Sequence, residues 1–278
     1  MPSALPTIPT AEFRRFVRVV RKLRKECPWD RKQTHRSLRD GLIEETYEVV
    51  DALDRRRLDD LRSELGDLLL HVVLQATIAE QAGEFTMNEV LHGISAKLIR
   101  RHPHVFGAVR VSGAEEVKRN WETIKLTEGR RSVLEGVPPH LPSLQRAHRI
   151  QQRAARVGFD WDHPDAVWNK VREELEELRR SLNGHSRKER EEEFGDLLFA
   201  LVNYARFFGV NPETALRHTN EKFTRRFRYI EKVLRRRGKR PNESTLDEMD
   251  ALWNQAKHRT RRAPERGRMR VRQKARKR

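Results

Sequence analysis

The strongest constraint on the fold of this chain is one acidic pattern written twice at a fixed distance. Glu44-Glu45-Thr46-Tyr47-Glu48 is followed by Glu64-Leu65-Gly66-Asp67, and Glu173-Glu174-Leu175-Glu176-Glu177 is followed by Glu193-Phe194-Gly195-Asp196. The differences 174 − 45, 177 − 48, 193 − 64 and 196 − 67 are all 129. On a helix at about 100° per residue, Val167, Trp168, Val171, Leu175, Leu178 and Leu182 form one apolar stripe. Glu174 and Glu177, spaced i, i+3, line its border, with Glu173 just beyond and Glu176 turned away. In the next segment Phe194, Leu197, Leu198, Leu201 and Ala205 share a face bordered by Glu193 and Asp196. The gap between them holds Asn183-Gly184-His185-Ser186, which is turn chemistry, so the spacing predicts an antiparallel helical hairpin.

Such a hairpin gathers four carboxylates at the edge of a helix–helix seam. Like charges that close are costly unless a cation neutralises them. Hard oxygen ligands suit Mg²⁺ or Mn²⁺ better than zinc. A single Glu-rich helix face is ordinarily solvated surface, but a solvated face has no reason to keep its register through a loop, twice. The candidate ligands are therefore Glu174, Glu177, Glu193 and Asp196, with a second possible site at Glu44, Glu45, Glu48, Glu64 and Asp67.

The duplication runs further. Asn220-Glu221-Lys222-Phe223-Thr224-Arg225-Arg226-Phe227 matches Ser95-Ala96-Lys97-Leu98-Ile99-Arg100-Arg101-His102 at an offset of 125, so the first unit has a loop four residues longer between Asp67 and Lys97. Trp121/Lys125 and Trp253/Lys257 then close the two units. Each unit thus offers acids for a cation, a Lys-x-x-Arg-Arg cluster for anions and a tryptophan able to stack on a base. A Mg²⁺–polyphosphate complex requires this set: arginine grips phosphate in a bidentate way and lysine acts as a point charge. No Walker sequence is present, which argues against a P-loop enzyme. His102-Pro103-His104 has neither a cysteine nor a third histidine nearby in sequence.

At 278 residues the chain can bury two cores, and the duplication divides it accordingly. The expected organisation is a lead-in over 1–10, a helical domain over 11–127, a linker over 128–142 containing two glycines and three prolines, a second helical domain over 143–262, and a basic tail over 263–278. Alternating strand patterns are lacking and no Asn-Gly or Asp-Gly β-hairpin turn joins apolar runs, so the expected fold is all-α, two tandem helical-bundle units. Asp162 is the expected N-cap of the helix that opens at Pro164. The net charge of +18 is uneven: residues 259–278 hold eleven Lys/Arg against Glu265 alone. Such runs bind phosphate backbones without sequence specificity, so contact with nucleic acid through the tail is an alternative function. Lone Cys27 suits a reducing cytoplasm, and no apolar run approaches the roughly 20 residues that span a bilayer.

Cys27-Pro28-Trp29-Asp30-x-x-Gln33-Thr34-His35, Leu42-Ile43-Glu44-Glu45-x-Tyr47-Glu48, Glu64-Leu65-Gly66-Asp67-Leu68-Leu69 and Arg100-Arg101-His102-Pro103-His104-Val105-Phe106 resemble the MazG family. Val157-Gly158-Phe159-Asp160-Trp161, the second acidic pattern and Asn220-Glu221-Lys222-Phe223 extend the resemblance over roughly residues 11–258. It implies an all-α nucleoside triphosphate pyrophosphohydrolase that is Mg²⁺-dependent, tolerant of the base, homodimeric and cytoplasmic, with a nucleotide-pool house-cleaning role. Narrower relatives specific for dUTP or phosphoribosyl-ATP are the alternative within the same fold. In tandem members the second unit is usually the active one. Carried over, this makes Glu174, Glu177, Glu193 and Asp196 the metal ligands and gives Glu173 a supporting or water-positioning role. Lys222, with Arg225 and Arg226, would hold phosphate, and Trp253 would contact the base. In the first unit the possible counterparts are the acids named above with Lys97 and Arg101. Lys170, one turn before Glu174, is a further phosphate candidate; its counterpart is Gly41 (170 − 129), a difference that favours the second unit. One departure is Glu189, which stands where the family tends to place a lysine, with Lys188 and Arg190 beside it.

Overall fold

Helices begin and end where local chemistry places them. The computed structural model describes residues 10–128, 132–184 and 186–262, apart from the side chains of 115, 118, 119, 122, 125–127 and 260–262. Among these residues the regular structure is entirely helical, as expected. The first five helices are α1 (Thr10–Glu26), α2 (Arg39–Arg55), α3 (Leu58–Ala82), α4 (Met87–Arg101) and α5 (Pro103–Phe106). They are followed by α6 (Ala114–Thr127), α7 (Ser143–Ala155), α8 (Pro164–Ser181), α9 (Arg187–Phe207), α10 (Pro212–Arg236) and α11 (Leu246–Arg262). The expected lead-in and basic tail fall almost wholly outside the described residues.

The duplication carries down to the caps. Thr86 opens α4 and Asn211 opens α10, again 125 apart, and each side chain accepts a hydrogen bond from a backbone amide three residues on. Ser186 opens α9 with a complete capping box, in which its hydroxyl accepts from the Glu189 amide and the Glu189 carboxylate accepts from the Ser186 amide. Glu189 is thereby committed to the helix start, which accounts for an acid at that position. The N-cap of α8 is His163, followed by Pro164 at the first turn, with no side-chain cap bond; Asp162 lies one residue too early for that role. The two units part company at Pro103. A residue before proline is pushed out of the helical region, so α4 stops at Arg101. The counterpart, 103 + 125, is Arg228, and α10 continues to Arg236.

The contacts fall into two compact units, Met1–Trp121 and Glu122–Arg278, dividing within α6, ahead of the expected linker. In the first unit α1 packs on α3 and α2 pairs with α3. Val20, Leu38, Val73, Leu74 and Ile78 form the buried cluster, with Phe13, Phe16, Val17, Leu70 and Met87 against it. Each such aliphatic side chain contributes about 1.5–3 kcal/mol on burial. Buried Arg24 donates to Gln81 on α3 and to the carbonyls of Asp30 and Gln33, fixing the segment that enters α2. In the second unit α8 pairs with α9, α7 lies on α9 and α10, and α10 pairs with α11 around Ile230, Leu234 and Leu252. Arg206 of α9 grips Asp160 through its two terminal guanidinium nitrogens, holding the turn before α8.

The apolar stripe of α8 is split by this packing. Val167 and Val171 are buried, whereas Trp168, Leu175 and Leu182 remain exposed, as do Phe194, Leu198 and Leu201 on α9. Two helices in contact cover only part of a broad stripe, and the remainder faces outward.

Candidate active site

The α2/α3 and α8/α9 hairpins are antiparallel in one shared register. Along α2 the positions 41, 45 and 48 step forward by four and three, and along α3 the positions 71, 67 and 64 step back by the same amounts. Contacts follow this ladder. A side-chain carbon on Gly41 would lie 3.1 Å from the His71 ring, Glu45 feels the charge of Asp67, and Glu48 approaches Glu64. Adding 129 to each position gives the second ladder: Lys170 with Ala200, Glu174 with Asp196, Glu177 with Glu193.

Glu174, Glu177 and Glu193 bring carboxylate oxygens within 4.8 Å of one another, and so do Glu45, Glu48 and Glu64. Oxygens around an octahedral magnesium ion stand about 3–4 Å apart, since each is about 2.1 Å from the metal. Each trio therefore needs only a modest inward turn of side chains to close on such an ion, and the donor set suits a hard divalent cation. Asp196 is exposed, one turn after Glu193, and stands outside its trio; Asp67 stands outside the other. Glu44 and Glu173 are likewise exposed, one residue before the first carboxylate of their hairpin's trio.

The two clusters differ in how their charge is balanced. In the second, the Lys170 ammonium lies 2.7 Å from Glu173 and 2.8 Å from Glu174, and these bonds push its own pKa well up. Glu174 is only 7% exposed. Arg180 reaches Glu177 at 3.4 Å, and a cavity of about 340 Å³ is lined by Glu177, Arg180, Ser181, Glu189 and Glu193. In the first cluster, among the described residues, no lysine or arginine pairs with Glu45, Glu48 or Glu64. Loss of hydration, then the charges of Glu48, Asp67 and Glu44, raise the Glu45 pKa. Glu64 is raised by the same hydration loss and by Glu48 and Asp67. The counterpart of Arg180 is Asp51 (180 − 129), whose partner is Arg55 at 2.9 Å.

Of the predicted anion ligands, Lys170 stands beside the acids and the others lie on other helices. Lys222, Arg225 and Arg226 lie on α10, which packs on α11 and α7, so the acids gather without them. Lys222 and Arg225 are exposed. Arg226 stacks over the Trp253 ring at 5.2 Å, and Trp253 also meets Phe223 at 5.2 Å and packs on the α10/α11 core. Lys97 is exposed on α4, and Arg101 is the last residue of that helix. Trp121 meets the His102 ring edge-on at 5.0 Å, while Lys125 falls among the undescribed side chains. His102 turns its Nδ1 to the Leu98 carbonyl at 2.7 Å, so that nitrogen is taken.

Two residues of these surroundings escaped the sequence reading: Arg180, and His71, whose buried Nδ1 has no hydrogen-bond partner. A signal for His71 existed. The offset that turns Gly41 into Lys170 turns His71 into Ala200, so each ladder keeps one nitrogen-bearing side chain in its first rung, on opposite helices.

Comparison with known proteins agrees with this architecture. The MazG nucleotide pyrophosphohydrolase domain model matches residues 33–106 and 163–230, the two acidic hairpins together with all of α4 and α5 after the first and most of α10 after the second. The chain is 44% identical over 250 residues to a nucleoside triphosphate pyrophosphohydrolase/pyrophosphatase MazG of Thermotoga maritima, covering 88% of this chain and 95% of that one. It is 43% identical over 254 residues to a nucleoside triphosphate pyrophosphohydrolase of Escherichia coli K12, covering 87% and 96%. No described helix is long and apolar enough to cross a membrane. With two domain matches and full-length relatives, the chain belongs to the MazG family of nucleotide pyrophosphohydrolases.

Proposed function

We propose that this protein hydrolyses nucleoside triphosphates between the α- and β-phosphates, giving a nucleoside monophosphate and pyrophosphate, with Mg²⁺ or Mn²⁺ as cofactor and broad tolerance of the base. The supporting observation is the convergence of three carboxylates from two helices, twice, in a MazG chain. Glu174, Glu177, Glu193 and Asp196 are the proposed ligands, and the bound ion would offset charge on the phosphate oxygens. Glu173 positions the attacking water. Its oxygen bonds to the α-phosphorus as the bond to the bridging oxygen breaks, and pyrophosphate leaves with that electron pair. Lys170, Lys222, Arg225 and Arg226 balance the charge of the polyphosphate. Trp253, half-buried beside Arg226 and Phe223, contacts the base. Glu44, Glu45, Glu48, Glu64 and Asp67, with Lys97 and Arg101, form a second site of the same type. The functional domains are placed at 11–127 and 143–262.

A homodimer accompanies this function. Leu53, Leu65, Leu69 and Val72 are exposed on the first hairpin, and their counterparts Leu182, Phe194, Leu198 and Leu201 are exposed on the second. Matched apolar rows on both hairpins fit burial against a second copy. The test of the reaction is product analysis over the common NTPs and dNTPs with Mg²⁺. Pyrophosphate release from several of them is expected, and orthophosphate as sole inorganic product would remove the proposed cleavage position. Deleting 263–278 separates the alternative: turnover persists while retention on RNA or DNA falls.

A further inference from the structure

We infer that Lys170 acts as a built-in counter-cation for the second acidic cluster, so that a divalent ion enters that cluster freely only when a triphosphate draws the lysine away, whereas the first cluster takes up the ion without nucleotide. This rests on the metal-site reading above.

The ammonium of Lys170 occupies oxygens of Glu173 and Glu174 at 2.7 and 2.8 Å. A divalent ion binds a carboxylate oxygen at about 2.1 Å, so an ion on the same Glu174 oxygen would lie within about 5 Å of the ammonium. Like charges at that separation repel strongly where water is scarce, and Glu174 is 7% exposed. Glu174 is held in the seam, so the lysine is the group that must move. Its flexible four-carbon stem and half-open position permit this. A triphosphate supplies the negative charge that gives the departing ammonium a new partner. Nucleotide and ion then favour one another, since each removes an obstacle to the other.

The first cluster lacks this device. Gly41 stands at the counterpart of Lys170, and the space above it is filled by the His71 ring, 3.1 Å from where a side chain would begin. Among the described residues, Glu45, Glu48 and Glu64 have no lysine or arginine to displace. The two clusters thus share their carboxylates and differ in what an incoming ion must evict.

The test is Mn²⁺ binding to the full chain, followed by calorimetry and by the electron paramagnetic resonance of free Mn²⁺. Without nucleotide, wild type is expected to show a tight class that Glu48→Gln/Glu64→Gln removes and a weaker class that persists. In that double-variant background, Lys170→Met should tighten the weaker class by roughly three- to tenfold, the scale of two partly exposed ion pairs. It should also shrink the gain in Mn²⁺ affinity caused by an α,β-methylene triphosphate analogue. Lys170→Arg, which keeps the charge, should stay near wild type in the nucleotide-free titration, guarding against a purely structural effect. Unchanged or weakened nucleotide-free affinity in Lys170→Met overturns the role given to Lys170. Persistence of the weaker class in Glu174→Gln/Glu177→Gln would instead overturn the metal site itself.

Discussion

Glutamates that converge at a helix seam carry a cost that each unit meets differently. Glu174 and Glu177 have Lys170 and Arg180, whereas Glu45 and Glu64 face other acids. Glu45→Gln should therefore raise the thermal stability of the metal-free protein by removing one repelling charge, and should reduce the additional gain that Mg²⁺ gives. Scanning calorimetry with and without chelator measures both, and a lower midpoint for the variant without metal would contradict the repulsion. For catalysis the order reverses. Glu174→Ala or Asp196→Ala should reduce pyrophosphate release at least about a hundredfold, since misplacing the metal costs its chemistry. Glu45→Ala and Asp67→Ala should cost far less; the opposite ranking would move the active site to the first unit. The acids were legible because helical register is carried by spacing alone. The partner of Lys170 was not, because a long flexible stem can serve either a carboxylate or a phosphate.

Helix boundaries were legible wherever a side chain sets them. Pro103, Pro164 and Pro212 mark two helix starts and one stop, and Gly184 adopts a positive φ of 87° in the turn between α8 and α9. Bonds between distant residues were not legible, as with Arg24 holding the loop before α2 or Arg206 holding Asp160. The corner between α10 and α11 gives a measurable case. Glu248 accepts from Ser244 and pairs with Lys239 and Arg237, which draw its pKa from 4.5 down to about 2. The folded state binds fewer protons than the unfolded one between those values, so this support is complete above about pH 4.5 and fades as pH falls toward 2. Thermal unfolding at pH 5 and pH 3 should show it, and Glu248→Gln should reduce the difference between the two midpoints.

At the scale of the whole molecule, the exposed leucines and phenylalanine of both hairpins set the clearest expectation. Sedimentation equilibrium should find a dimer, and Leu198→Glu together with Leu69→Glu should shift it toward monomer, because a charge in an apolar interface is costly to bury. A wild-type chain that sediments as a monomer at all tested concentrations would leave those faces without the proposed partner.

The sequence by itself determined the helical class, the duplication, the antiparallel hairpins and the acids that meet in them, because all of these depend on periodicity and on an offset that survives translation along the chain. Only the tertiary structure decided which side chains neutralise which acids, that Glu189 caps the start of α9, that Trp253 is shared with a helix core, and that His71 fills the space above Gly41. Those outcomes depend on distances between residues far apart in sequence and on the rotamers that packing leaves open, which no one-dimensional spacing encodes.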